Sequence, residues 1–223
     1  RGIFRLKRKI VFDSLAIGMS PFLMNLAACF IVIIINQGLK KYGGDLAIGA
    51  FGIVNRLVFI VVMIVMGLNQ GMQPIAGYNF GAKLYGRVNK VLRLTIIYAT
   101  AVTTFGFLVG MLVPDLVVGI FTSDAELTEL SVTGLRITVM FFPIIGFQMV
   151  TSNFFQSIGM AGKAIFLSLT RQMLILLPCL LVLPQFFGVA GVWYSMPVSD
   201  LLASLIALVM LVCQFRKFRT SPL

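Results

Sequence analysis

Residues 58–66 read VFIVVMIVM, a run with no polar interruption. Such runs fill the chain. Six apolar segments, near 11–36, 46–75, 93–113, 129–157, 164–186 and 189–213, are each long enough to cross roughly 30 Å of hydrocarbon as a helix. The spacers between them are short. This pattern decides the solvent. Only 11% of the residues are charged and 59% are hydrophobic, where a soluble domain carries roughly 25% charge. There is too little polar surface to cover a globule in water. The ten-residue alternation of a membrane β-barrel is absent. The expected fold is an all-α membrane protein with six transmembrane helices over residues 11–215. A basic connector, 1–10, precedes the bundle, and a basic tail, 216–223, follows it. The lipid bilayer is the first expected partner.

The formal charge is +11, from 18 Lys and Arg against 7 Asp and Glu. In a soluble chain that excess would point to nucleic acid. Here the cations sit between apolar spans, and no nucleic-acid partner is expected. Arg1, Arg5, Lys7, Arg8 and Lys9 open the chain; Lys83, Arg87, Lys90 and Arg93 fill the second spacer. Lys163 lies in the fourth spacer, with Arg171 further in, and Arg216, Lys217 and Arg219 close the chain. The alternate spacers carry Lys40 and Lys41 with Asp45, then Asp115, Asp124 and Glu126 without a cation, then no charge. By the positive-inside rule both termini are cytoplasmic, which an even number of spans requires. Ile3, Leu6 and Ile10 recur at helical spacing among the first cations. They fit a short helix lying on the cytoplasmic leaflet, and equally a solvated linker.

Histidine is absent, and Cys29, Cys179 and Cys213 are scattered without a CxxC pair. No metal, no cofactor and no enzyme activity are expected from such a set. The polar groups that do lie at depth have a pattern. Pro21, Pro143, Pro178 and Pro197 fall inside predicted spans, and each tends to kink a helix. At 100° per residue, Asn55, Val62, Met66, Asn69 and Gln73 lie within about 40° of one line, with Arg56, Met63 and Gln70 alongside. Gln148, Ser152 and Gln156 repeat every fourth residue in the fourth span, with Asn153 beside them and Arg136 nearer the outer end. Amides facing lipid are costly, so these faces look inward. Two readings stand: hydrogen bonds between helices, or the lining of a wet cavity. Gly191, Ser195, Ser199, Ala203 and Ala207 form a ladder for close helix packing in the last span. Asp200 lies beside that ladder near mid-span. A carboxylate there is either a proton carrier or half of a static pair with an arginine or a helix terminus.

The stretch GLNQGMQPIAGYNFGAKLYGR, residues 67–87, is expected to form a packed hinge at the inner mouth of the bundle. Gly67 and Gly71, and Gly77 and Gly81, are spaced for close backbone approach. Pro74 should kink or end the helix, and Gly77 and Gly81 suit a tight turn after it. It is not a phosphate loop, because GxxxxGK[ST] is missing and no strand precedes it.

Three segments resemble one family. NQGMQPIAGYNFGAK is similar to the stretch after the second helix of a lobe in the multidrug and toxic compound extrusion (MATE) transporters. NFFQSIGMAGKA, residues 153–164, resembles the end of the fourth helix of such a lobe, and GVWYSMPVSDLLA, residues 191–203, the final helix in bacterial members. The resemblance implies twelve helices in two six-helix lobes, of which this chain is the second, preceded by part of the inter-lobe connector. It implies a missing N-terminal lobe as partner and small cationic or amphiphilic substrates. Export would be driven by H+ or Na+ across a bacterial cytoplasmic membrane. Some members carry cation-binding acids in helices seven and ten. Here Ser14 to Ile35 has no acid and the fourth span has only Glu129, at its edge. That second-lobe ion site is expected to be absent, which leaves Asp200 as the local candidate. The alternatives are a lipid-linked sugar flippase of the same superfamily, for which Arg56 and Arg136 would supply the cations at depth, and a non-transporting membrane scaffold.

Overall fold

The computed structural model describes residues 8–220. Residues 1–7 and 221–223 lie outside the described residues, and with them most of the expected interfacial helix and the end of the basic tail. Among the described residues there is no strand. The chain runs through α1 (Arg8–Gly81), α2 (Tyr85–Leu112), a short α3 (Pro114–Gly119), α4 (Ala125–Val139), α5 (Phe142–Ser157) and α6 (Ala161–Leu169). A π-helical stretch (Thr170–Leu176) then leads into α7 (Leu177–Phe187), and α8 (Val189–Thr220) closes the fold.

Helix is the natural state here because hydrocarbon offers the backbone no hydrogen-bond partner other than the chain itself. Six crossings follow. The apolar part of α1, Phe22–Gly81, is 60 residues long. As one straight helix it would reach about 90 Å, three bilayer cores. It is broken at Gly44, whose φ of 67° and ψ of −163° are open only to glycine. The chain reverses there, because Ala28 and Val32 of the first limb line one cavity with Val58 and Val62 of the second. Limbs 8–43 and 45–81 are the first two crossings, α2 is the third, and α8 is the sixth. The fourth crossing is α4 with α5, bent by 55° at Met140 and Phe141. Pro143 sits in the first turn of α5, where its missing N–H costs nothing. Asp124 caps α4 by accepting from the N–H groups of Glu126 and Leu127 at 3.0 and 3.1 Å. The fifth crossing is α6, the π stretch and α7, together Ala161–Phe187.

Two apolar clusters hold the crossings together, one at each end of the lobe. The cluster at the Gly44 end joins Ile35, Leu39, Ala47, Phe51, Val118, Leu135, Phe142 and Trp193. The cluster at the Gly81 end joins Met72, Ala76, Val88, Leu92, Phe154, Phe155, Ala164 and Leu211. Lys83, Arg87, Lys90, Arg93 and Lys163 belong to the Gly81 end. Asp115, Asp124, Glu126 and Glu129 belong to the other. Lys163 is tied down there: its Nζ donates to Gln214 and lies 5.2 Å from the centre of the Phe155 ring.

The stretch 67–87 differs from expectation in detail. The helix runs on through Pro74 to Gly81, and the chain reverses at Ala82–Leu84, where Lys83 takes φ 59°. Pro74 is exposed, so the ring and the carbonyl it frees face outward and the helix need not break. Gly77 does meet a neighbour: a Cβ there would stand 3.0 Å from the Ser157 carbonyl oxygen. Gly67, Gly71 and Gly81 meet nothing within 4 Å. A close backbone approach between α2 and α5 lies elsewhere, at Gly146, where a Cβ would fall 2.8 Å from the Ala99 carbonyl oxygen and 2.7 Å from Thr103 Oγ1. The ladder in α8 is buried, with Ser195, Ser199, Ala203 and Ala207 all shielded. Gly191 at its head packs on the backbone of Leu183 and Pro184.

These contacts predict opposite outcomes for two glycines. Gly146→Val should force α2 and α5 apart and lower unfolding stability by about 1–3 kcal/mol. Gly71→Ala should leave stability unchanged or raise it by up to about 1 kcal/mol through helix propensity. Thermal or denaturant unfolding in detergent micelles checks both.

Candidate functional site

The bends and the π stretch leave a cavity of about 360 Å³ inside the lobe. Its mouth lies between the limbs of α1, where Val32, Asn55 and Phe59 are all exposed. Its walls are apolar, from Val54, Val58, Phe142, Ile145, Met149 and Met196. Among the described residues its only charged lining residues are Arg171 and Asp200.

The sequence builds this pair in steps. A π stretch admits an extra residue per turn and recurs at functional positions. Here it ends just before Pro178, in the first turn of α7, which could not have donated to the preceding turn in any case. Arg171 lies within the π stretch, ten residues from the start of α6. That is about 15 Å of helix, half the hydrocarbon thickness. Asp200 is at similar depth in α8. Arg171 Nε stands 2.8 Å from Asp200 Oδ1. The arginine side chain is 33% exposed and the aspartate 7%. Ser199, next to Asp200, donates from Oγ to the Arg171 carbonyl oxygen at 3.0 Å. The pair is therefore fastened through side chain and backbone. Among the described residues it is the one ion pair, and Arg136 is exposed and does not pair with Glu129.

The cavity's width comes from the α4–α5 bend, which carries Thr138 and Phe142 on either side of the break. Thr138 keeps its own hydroxyl occupied, donating to the Gly134 carbonyl at 2.8 Å. Behind the wall Phe51 meets Trp193, ring centres 5.9 Å apart.

Of the candidates named from the sequence, the cavity brings together Asn55 and Asp200. Met66 and Gln73 lie on the exposed face of the second limb of α1, with Arg56, Met63, Gly67, Gln70, Gly71 and Pro74. Asn69, Gln148 and Ser152 are buried, and Gln156 is half-buried. The second limb and α5 run in the same direction, since Val58 shares the cavity wall with Phe142 while Gly77 meets Ser157. Asn69 is thus level with the Gln148–Ser152 turn. Neither amide atom of Asn69, nor Ser152 Oγ, has a hydrogen-bond partner within the lobe. Asn153 instead donates to the Met149 carbonyl of its own helix. Asp200 takes its place as half of a pair, with a partner that sequence reading passed over. The signal was available: Thr170, Arg171 and Gln172 form a polar triplet inside an apolar span, shortly before a proline. The two deep cations named instead, Arg56 and Arg136, are exposed on the outside of the lobe.

Residues 19–181 match the MatE family profile. The chain belongs to the MatE family. Over 201 residues this MatE chain is 27% identical to multidrug export protein MepA of Staphylococcus aureus strain MSSA476, covering 90% of the chain and 44% of that protein. It is 24% identical to MepA of Staphylococcus saprophyticus over the same span. The chain thus spans about half the length of the curated relatives it matches. Among solved structures it is similar to the MATE multidrug transporter DinF-BH, with TM-score 0.84 and 34% identity, covering 97% of this chain and 49% of that one. A MATE family transporter of the MOP superfamily in an outward-facing conformation matches in fold, with TM-score 0.88 at 19% identity, covering 98% of this chain and 49% of that one. The MatE chain is one six-helix lobe of that architecture.

The fastening of the pair gives a local test. Ser199→Ala removes the bond from α8 to the π stretch and should cost about 1 kcal/mol of unfolding stability, read by thermal unfolding in detergent.

Proposed function

We propose that this chain is the second lobe of a secondary antiporter that exports cationic and amphiphilic drugs in exchange for H+ or Na+, and that it is not an enzyme. The observation that supports this most is the exposed face of the second limb of α1. Asn55, Arg56, Gln70 and Gln73 stand on it among Met63 and Met66, which are 57% and 48% exposed, and among glycines that touch nothing in this lobe. A row of amides and a guanidinium against acyl chains would cost several kcal/mol. This face belongs against a second lobe and the aqueous path between the two. Methionines adapt to varied apolar shapes, which suits many substrates. The relatives bear the same reading in their names, multidrug export protein and multidrug transporter.

The cations collected at the Gly81 end support a reading in which that end and both termini face the cytoplasm of a bacterial cytoplasmic membrane. Alternating access then follows if the two lobes rock about this face. Asp200 is the candidate proton carrier of this lobe: protonation would release Arg171 at mid-membrane and loosen α8 from the π stretch. Asn69 and Ser152 supply polar atoms at the same depth without partners among the described residues, with buried Gln148 on the same turn as Ser152.

The experiment is reconstitution of the full-length protein in vesicles, with drug-driven H+ or Na+ movement as readout. Drug addition should drive counter-movement of one ion; its absence for both ions overturns antiport. In the same vesicles Asp200→Asn should reduce proton-coupled export at least tenfold, while unchanged pH-dependent export at normal expression removes Asp200 from the coupling path. A cysteine at Gln73 should react with a membrane-impermeant maleimide; protection from it would favour a scaffold sealed in lipid.

A further inference from the structure

The cavity offers an entering cation no free carboxylate. Its two charges cancel, but they are not presented equally. Asp200 is nearly enclosed, its Oδ1 2.8 Å from Arg171 Nε without the alignment of a hydrogen bond, while a third of the Arg171 side chain remains exposed. A guanidinium that meets its acid from the Nε side keeps its terminal nitrogens as donors in a planar fork that suits a carboxylate. Asn55 adds an uncharged amide at the mouth, Thr138 a hydroxyl already bonded to the Gly134 carbonyl, and the other walls are Ala, Phe, Val, Ile, Leu and Met. Among the described residues no second acid lines the cavity. A cation entering would meet the guanidinium first, in a setting of low dielectric, and would reach Asp200 only by displacing its partner. An apolar molecule ending in a carboxylate would meet donors at the base and hydrocarbon on every side. The volume, about 360 Å³, lies at the small end of ligand pockets and admits one compact amphiphile.

We propose that this cavity binds a monocarboxylate with an apolar body, its carboxylate on the Arg171 guanidinium. The site opens at Asn55 onto the exposed α1 face proposed for cationic drugs and shares Asp200 with the proposed coupling path, but binding of the acid is read without any export. Two sources share this chemistry, a fatty acid drawn from the bilayer and a ring-bearing organic acid from the aqueous phase.

Trp193 provides the readout. It is the one tryptophan of the 223 residues, and its ring packs against Phe51, which lines the cavity. The purified chain in uncharged detergent is titrated with bromododecanoate, with the matching bromo-alcohol and bromo-amine, and with a bromonaphthoate and its alcohol. Bromine quenches tryptophan emission at short range. At least one acid should quench at a concentration tenfold or more below its own alcohol and below the amine. Preference for the dodecanoate assigns the bilayer as source, and preference for the naphthoate assigns a solute. Arg171→Gln with Asp200→Asn keeps the net charge while removing the fork, and should abolish the acid's advantage. Arg171→Lys should keep part of it. Equal quenching by acid and alcohol, stronger quenching by the amine, or an advantage that survives in the neutral double variant would each overturn the proposal.

Discussion

A charge or an unpaired backbone amide inside hydrocarbon has no water to turn to, so whatever the chain exposes at that depth the chain must satisfy. Most features of this lobe answer that demand. Buried hydroxyls bond to carbonyls of their own helix: Thr95 to Val91, Thr103 to Ala99, Ser131 to Leu127, Thr151 to Phe147, Ser195 to Gly191 and Ser204 to Asp200. These residues therefore act as slightly polar packing units and contribute little glue between helices. Bonds that cross between crossings are few, and two of them, from Ser199 to the π stretch and from Lys163 to Gln214, bind α8 to its predecessor. The Arg171–Asp200 pair is the strongest instance of the same demand. Neither charge would be tolerable alone at mid-membrane, and together they give the lobe a fixed polar point.

The departures from regular helix sit around that point. The α4–α5 bend and the π stretch each interrupt a crossing and border the cavity directly, while the reversal at Gly44 separates the first crossing from the second. A bundle of straight apolar helices would pack shut. Here the prolines create the irregularity, burial contains it, and the resulting space is lined by a guanidinium and an amide. The outer face of α1 has the complementary property, with polar groups and bare glycines left uncovered by this lobe. One lobe thus carries a filled apolar interior, a small internal site and an unfinished surface, which fits a unit built to work against a second one.

The crossings are legible in the amino-acid order because hydrocarbon selects so strongly for length and apolarity. Segments 11–36 and 46–75 are recognisable as the two limbs of α1, although the helix extends beyond each. Pro143 marks a break in the fourth span, as its position predicts. Positions that depend on neighbours are harder. Pro74 has the same chemistry as Pro143 but sits on an uncovered surface, so nothing obliges the helix to break. Gly67 and Gly71 carry the spacing of a packing motif, yet the partner they fit is not among the helices of this lobe. Gly146, where α5 meets the backbone of α2, stands alone without a spaced companion. Arg171 escapes because a uniform 100° per residue cannot represent a π stretch, and past the extra residue that stretch accommodates, the predicted faces are out of register.

The measurement that bears most directly on the mid-membrane pair is a double-mutant cycle, read as unfolding free energy in detergent. Arg171→Gln alone should cost about 3–5 kcal/mol, because it strands Asp200 in a dry interior. Adding Asp200→Asn should recover at least ~1 kcal/mol of that loss. If instead the two substitutions prove additive within about 0.5 kcal/mol, the charges do not depend on one another. The polar point around which the lobe is organised would then not exist.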